Sequence, residues 1–438
     1  MFEILPGFRD FQPQDCAIRN SIFKNWRKTA HNFGFEEFDG PILESLELFT
    51  KKSGEEIAEQ LFAFEDKGGR KIALRPEMTP SLVRILGSKL ATLKKPTKWF
   101  NITENFRYER PQKGRLRSFY QFNVDIIGEA SYTAEAELIA LAIQSFQSFG
   151  LSREQFYIRL SDRQLWTLWL QVFGINDENL KIKMLALFDK WERRSHAEIE
   201  KDLREILPET INAKTFFQET EILRHSSNLN AVSACFEKNT LPTNLKSTLQ
   251  ERLNDISKLF EELNYLGCKD FVKLDLSIVR GLAYYTGFVF EVFEIGNQGR
   301  ALAGGGRYDQ LFEKLTGHTI PAVGFAAGDV TLTDLLKKNN CLPKIDNRLN
   351  CFVVFEESEK QIALTITQKL RTQNISVKYN LGDTKSLSKQ LKKAFSENPK
   401  FILIFTHNEF IQGKVQIKDI FNDTTELINL SEIVNYLK

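Results

Sequence analysis

A chain of 438 residues is longer than one hydrophobic core usually serves, so two or three domains are expected. Its hydrophobic fraction of 42% and charged fraction of 26% are those of an ordinary globular protein, and a net charge of +2 excludes binding through a uniformly basic surface. Any contact with nucleic acid would have to be local.

The cysteines are scattered with no CxxC pair, and the histidines are equally dispersed. This excludes a disulfide framework and zinc-ligand spacing, and no structural metal is expected. The opening MFEILPGFRDFQPQD carries charge early and has no apolar segment, so it does not read as a signal peptide. No apolar run approaches the ~20 residues of a membrane span. A cytoplasmic protein with no membrane partner is the expectation.

From Pro13 to Phe33, apolar residues at helical spacing (Ile18, Ile22, Phe23, Trp26) predict an amphipathic helix. GFEEFDGPIL turns to strand character and breaks at Gly40-Pro41. Between Phe62 and Val124 the pieces FAFED, KIALR, KWFNI and SFYQFNVDII are separated by turn residues, a spacing that suits an antiparallel sheet rather than βαβ units. Helical periodicity returns at YTAEAELIALAIQSFQSF. Roughly Trp169 to Leu266 is polar, helical in pattern and nearly free of strand signals, which predicts a helical insertion in a larger domain. YYTGFVFEVFEI and ALAGGGRYDQL resume strand character. After the loop-like NNCLPKIDN, the strand-like NCFVVF, VKYN and KFILIF alternate with helices at Lys360 to Arg371 and SLSKQLKKAF, which predicts a small α/β domain with a mostly parallel sheet. The expected organisation is an α+β domain (an antiparallel sheet flanked by helices) over 1–168 and 267–338, interrupted by the helical insertion at 169–266, and a C-terminal α/β domain over 346–438.

The densest charge lies in FRYERPQKGRLRSFYQFNVDIIG, where Arg107, Arg110, Lys113, Arg115 and Arg117 are answered by Glu109. Such a cluster is a solvated turn or a phosphate grip, and arginine is the side chain suited to forked contact with phosphate. Gln121 and Asp125 lie four apart in a strand and so share a face, where they meet a ligand or a buried network. In LRPEMTP, Arg75, Glu77 and Thr79 read as alternate residues ending a strand, with Glu77 either salt-bridged to Arg75 or open to an ammonium group. VRGLAYYTGFVFEVF sets Arg280 beside Tyr284 and Tyr285, and tyrosines fix orientation in clefts as readily as they fill cores. Gly304 to Gly306 inside a strand pattern indicate close approach of a ligand or of neighbouring chain. No GxGxxG turn opening a helix and no GxxxxGK[ST] loop is present.

ENFRYERPQKGRLRSFYQFNVDIIG resembles the second signature motif of the class II aminoacyl-tRNA synthetases. RPEMT and RGLAYYTG are similar to the two histidine-specific segments of the histidyl-tRNA synthetase family, GFEEFDGPILESLELF to the first, dimer-forming motif, and SLSKQLKKAFSENPKFILIFTHNEFIQGKVQIKDI to the anticodon-binding domain. The resemblance covers nearly the whole chain except the insertion. It implies ATP-dependent attachment of histidine to its tRNA through a histidyl-adenylate, with magnesium accompanying ATP, by a homodimer. Carried over by position, Glu77, Thr79, Gln121, Asp125, Tyr284 and Tyr285 would hold histidine. Arg107 and Arg280 would be the catalytic arginines. ATP would also meet Gly304, Gly305 and either Arg115 or Arg307, and Arg110 and Gln112 would meet the tRNA acceptor end.

Three positions depart from the family pattern. Asp125 stands where Glu is usual, which implies a water between it and the imidazole. Ala283 replaces an Asp of the RGLxYY segment. In PAVGFAAGDVTLTDLL, Thr331 occupies the place of the third-motif arginine that clamps the outer phosphate of ATP. The last departure keeps a rival open, a synthetase-like regulatory subunit that senses histidine without catalysis. A synthetase for another amino acid is opposed by RGLAYYTG.

Overall fold

The computed structural model describes residues 2–50, 59–238, 241–280, 284–296, 300–382 and 386–437. Ala283 and Lys385 lie outside them. The chain forms two compact units, Met1–Pro343 and Lys344–Lys438. Among the described residues no helix is long and apolar enough to cross a membrane.

The strands of the first unit are β1 (Glu36–Glu37), β2 (Leu43–Ser45), β3 (Ala63–Glu65), β4 (Lys71–Leu74), β5 (Thr97–Phe106), β6 (Ser118–Ile127), β7 (Phe156–Asp162), β8 (Val272–Leu274), β9 (Phe288–Glu294), β10 (Ala303–Arg307) and β11 (Ala322–Gly328). Eight of them form one sheet in the order β1-β5-β6-β11-β10-β9-β7-β8, antiparallel except for the outer pairs β1–β5 and β7–β8. The small sheet β2-β4-β3 stands apart.

Period-two alternation gives the large sheet two chemically different faces. Along β6, Phe122, Val124 and Ile126 enter the main core, while Gln121, Asn123 and Asp125 line a cleft. The core side is closed by the helices Pro13–Asn32 and Thr133–Gln147. There Trp26 stacks on Phe122 at 5.4 Å, and Phe122 meets Phe325 edge-on at 6.0 Å. Burying such aromatic pairs stabilises by roughly 0.5–1.5 kcal/mol each beyond the area removed from water.

The strand expected over Arg75 to Thr79 does not form. β4 stops at Leu74, Pro76 has no N–H to continue the ladder, and the helix Thr79–Gly87 begins with Pro80 in its first turn. Glu77 therefore sits on a strand-to-helix turn. The helical block begins at Arg163, earlier than the expected Trp169, because Asp162 caps it by accepting from the Leu165 N–H at 2.9 Å. It ends with the helix Thr243–Tyr265, and its apolar residues are continuous with the core of the sheet.

The second unit carries β12 (Cys351–Phe355), β13 (Val377–Tyr379), β14 (Phe401–Phe405), β15 (Lys414–Asp419) and β16 (Thr424–Asn429), in the order β13-β12-β14-β15-β16. The sheet expected to be mostly parallel is mixed. β12 pairs in parallel with β13 and β14, while β14–β15 and β15–β16 are antiparallel. A turn closed by Asp419, which accepts from the Phe421 and Asn422 N–H groups, lets β15 return directly as β16 with no crossover helix. Both faces of β12 are covered, one by the helix Lys360–Thr372 and the other by Leu387–Ser396.

Candidate active site

The polar face of the large sheet opens into a cleft of about 1700 Å³, walled by β6, β10 and β11, the turn before Thr79, the loop 107–117 and the helical block. Glu77 and Asp125 are the buried carboxylates of its floor. Glu77 Oε2 accepts the Tyr284 hydroxyl at 2.8 Å, while Oε1 is buried with no partner among the described residues. Burial raises the Glu77 pKa against the opposing charge of Arg107, the Tyr284 hydrogen bond and Arg280. Asp125 Oδ1 accepts the Tyr308 hydroxyl at 2.5 Å, and burial pushes its pKa up to about 7, with Glu77 adding to the rise. Gly324 lies opposite Asp125 on β11, and a Cβ there would overlap the carboxylate. The tyrosine pair packs ring to ring at 5.1 Å. Thr79 opens its helix at the cleft, and Gln121 Oε1 accepts from Asn105 Nδ2 at 2.9 Å.

The arginines stand beside this floor. Arg107 donates through Nε to the Pro76 carbonyl at 3.0 Å and lies over the Phe119 ring at 5.3 Å. Arg280 adopts a left-handed backbone, φ +54°, which is costly for a residue with a Cβ. Arg163 Nη1 holds its carbonyl at 3.2 Å, its own Nη1 donates to the Phe290 carbonyl at 3.3 Å, and Glu291 is 3.6 Å away. Gly304 makes room for that guanidinium, since a Cβ there would overlap Arg280 Nη1.

Several expected contacts are not made. Arg75 turns away from Glu77 and donates to the carbonyls of Glu104 and Gly40, with Asp39 at 3.3 Å. Gly305 faces the opposite side of the sheet from Gly304, against Phe325 and the Gly324 carbonyl, so its bareness serves strand packing. Arg307 lies away from the cleft, where its fork meets Glu135 at 2.6 and 2.7 Å and the carbonyls of Glu129 and Ser131. It is a buried structural pair. Arg115 lines the cleft but is ion-paired with Glu109. Arg110 and Gln112 are exposed on the loop, whose turn is closed by Gln112 and Arg115 exchanging main-chain bonds at 3.1 and 2.8 Å. Asp329, beside Thr331, pairs with Arg9 at 2.8 Å and accepts the Tyr120 N–H at 2.9 Å, so its charge is turned from the cleft.

Two residues of the site escaped the motif reading. Tyr308, next to Arg307, alternates with it across the strand end and so reaches the cleft face; that period was the available signal. Arg300 precedes the glycine strand and carries no motif. It meets the basic loop by donating to the Gly114 carbonyl at 2.7 Å.

A family model described as histidyl-tRNA synthetase matches residues 7–331, and one described as an anticodon binding domain matches residues 350–438. A "Histidine--tRNA ligase" of Opitutus terrae is 43% identical over 97% of this chain and 95% of its own length. One of Pyrococcus horikoshii is 34% identical over 100% and 99%. Among solved structures, histidyl-tRNA synthetase from Nostoc sp. PCC 7120 has a TM-score of 0.77 at 22% identity, covering 100% of this chain and 99% of that one. An ATP phosphoribosyltransferase regulatory subunit/histidyl-tRNA synthetase from Bacillus halodurans has a TM-score of 0.72 at 23% identity, covering 93% and 98%. These two likenesses speak to the fold, which a catalytic and a regulatory protein share. The family match along most of the first unit, and relatives alike over nearly the full length, carry the assignment: the chain belongs to the histidyl-tRNA synthetase family.

Proposed function

We propose that the cleft activates histidine with ATP and passes it to tRNA, in the overall reaction ATP + L-histidine + tRNA(His) = L-histidyl-tRNA(His) + AMP + diphosphate. The observation that carries the reading is the pairing of two buried, tyrosine-anchored carboxylates with Arg107 and Arg280 on one sheet face. Histidine brings two groups that a carboxylate can receive, the α-ammonium and the imidazole N–H. Glu77, whose Oε1 has no partner among the described residues, takes the ammonium together with Thr79 and Gln121. Asp125 and the tyrosines orient the ring. The short Asp125 side chain is already held by Tyr308, so its other oxygen faces the imidazole directly or across one water.

The histidine carboxylate attacks the α-phosphorus of ATP. A carboxyl oxygen–phosphorus bond forms, the bond to the β-bridging oxygen breaks, and pyrophosphate leaves. Such a step asks the protein for alignment and for charge neutralisation at the phosphoryl oxygens. Arg107 and Arg280 supply both: Arg107 has no carboxylate at ion-pair distance among the described residues, and Arg280 is partly answered by Glu291 at 3.6 Å. Gly304 serves the reaction by admitting Arg280 rather than by touching the nucleotide. Magnesium arrives with ATP as part of the substrate. A ribose hydroxyl at the tRNA 3′ end then attacks the acyl carbon and AMP leaves, while Arg110 and Gln112 on the exposed loop meet the acceptor end.

The second unit reads the anticodon, supported by its family match and by the exposed lysines Lys389, Lys392 and Lys393 on one helix. We place the enzyme in the cytoplasm as a homodimer, supported by its free thiols and by the exposed Ile42 and Leu43 in the segment resembling the dimer-forming motif.

ATP–pyrophosphate exchange with each amino acid tests the reading. Exchange dependent on histidine alone is expected. No exchange at saturating ATP and histidine would establish the regulatory alternative that Thr331 keeps open, and exchange with a different amino acid would reassign the substrate. A chain ending at Pro343 should retain exchange but charge tRNA poorly; normal charging by that folded unit would remove the anticodon role from residues 344–438.

A further inference from the structure

Most arginines on the cleft wall are answered by a carboxylate: Arg115 by Glu109, Arg159 by Asp275, Arg280 by Glu291. Arg107, Arg193 and Arg300 have no carboxylate at ion-pair distance among the described residues. All three line the cleft. Burial first, and then the charges of Arg107 and Arg193, hold the pKa of Arg300 below its ordinary value. Glu77 and Glu291 act on Arg107 and Arg193 only from beyond ion-pair distance, and cations so placed repel one another unless an anion of matching charge enters, as a triphosphate tail would.

Arg300 is also placed where Thr331 leaves a gap. The point above Gly114 where a Cβ would stand is 3.5 Å from Thr331 Cγ2 and 3.9 Å from Arg300 Cδ. Arg300 Nη1 donates to the Gly114 carbonyl at 2.7 Å, which steers the fork without neutralising it. Thr331 Oγ1 donates to the carbonyl of Leu302, two residues beyond Arg300. The stem of Arg300 thus borders the small side chain at 331, on the basic loop. An arginine at 331 and the one at 300 would compete for one space. The other candidates are committed elsewhere, Arg307 to Glu135 and Arg115 to Glu109.

We propose that Arg300 grips the outer phosphates of ATP, in place of an arginine at position 331, with Arg193 reaching the same tail from the helical block. The proposal rests on the reading of the cleft as an adenylate-forming site. The forked guanidinium holds the end of the triphosphate and leaves Arg107 and Arg280 for the phosphorus that reacts.

The test measures pyrophosphate exchange together with direct calorimetric binding of ATP and of AMP, which lacks the outer phosphates. Arg300→Ala should raise the KM for ATP about tenfold or more with kcat changed less than about threefold, the signature of binding lost equally from ground and transition states. Its affinity for AMP and its KM for histidine should match the unaltered chain. Adding Thr331→Arg to Arg300→Ala should recover most of the ATP affinity. An ATP KM within about twofold of the unaltered chain overturns the proposal, and so does an equal weakening of ATP and AMP. Absence of exchange in the unaltered chain would strike the adenylate-forming reading instead, and the ATP-to-AMP comparison would still decide what Arg300 binds.

Discussion

On the floor of the cleft Glu77 and Asp125 are buried carboxylates that accept hydrogen bonds from Tyr284 and Tyr308. Beside them, Arg107, Arg280 and Arg300 donate to the main-chain carbonyls of Pro76, Phe290 and Gly114. Opposite charges are thus positioned by the same means, a neutral partner that fixes direction, with Arg280 also meeting Glu291 at 3.6 Å. The energetic consequences differ. Burial drives the two carboxylates toward their protonated forms, whereas the guanidiniums stay charged, and at Arg300 burial first and then the charges of Arg107 and Arg193 lower the pKa. The carboxylates should therefore be sensitive to pH and to histidine, and the arginines to the nucleotide.

The largest expected break in this contrast comes from Arg107→Ala. One preorganised donor aimed at developing charge is worth roughly 3–4 kcal/mol, a fall of about a hundredfold to a thousandfold in kcat. The KM for histidine and the melting temperature should move little. Exchange within tenfold of the unaltered chain would mean that Arg107 does not act on the reacting phosphorus.

Among the carboxylates, Asp125→Asn should raise the KM for histidine about tenfold with the KM for ATP unchanged, the mirror image of Arg300→Ala. The unaltered chain should also lose kcat/KM for histidine as pH falls through about 7, where Asp125 takes up its proton, and the variant should lack that limb. The stability sign runs oppositely. A carboxyl whose folded pKa lies above its unfolded value favours the folded state at low pH, and this contribution is lost between the ordinary value of 3.8 and about 7. Without histidine, the unaltered chain should lose melting temperature relative to Asp125→Asn as pH rises from 5 to 8. A difference that is flat with pH would show that Asp125 titrates normally.

The smallest effect on fold and the sharpest contrast within one strand lies at the glycines. Gly304→Ala meets the far end of the Arg280 side chain, so it should leave the melting temperature nearly unchanged and lower kcat about tenfold by shifting that guanidinium. Gly305→Ala meets the Gly324 main chain, which cannot move aside, and should destabilise the protein outright. Equal behaviour of the two variants in thermal melts and exchange would refute the assignment of the two faces.

Much of this was legible before any coordinates. The period-two alternation of SFYQFNVDII places Gln121 and Asp125 on the face opposite Phe122 and Val124, and the structure keeps it. The helix Pro13–Asn32 follows from its apolar spacing. The misreadings have separate causes. LRPEMTP read as alternating strand because periodicity ignores the ladder bond that Pro76 cannot make, and this also produced the unformed Arg75–Glu77 pair. Arg307 read as a phosphate ligand because it follows three glycines, yet the strand's alternation turns it to Glu135, 172 residues away in sequence.

What the sequence determined by itself is therefore what depends on neighbours along the chain: the element types, the face each strand residue occupies, and the motifs that name the family. Which charges meet was decided only by the fold. Glu77 finds Tyr284, Asp125 finds Tyr308, and Arg300 finds the loop at Gly114, each across more than a hundred residues. A charged side chain looks alike in sequence whether it is cancelled by a carboxylate or left open by a carbonyl, because that difference is a matter of a few ångströms set by distant chain. Arg115 and Arg300 show it: the motif favoured the first, and the packing left the second open to a ligand.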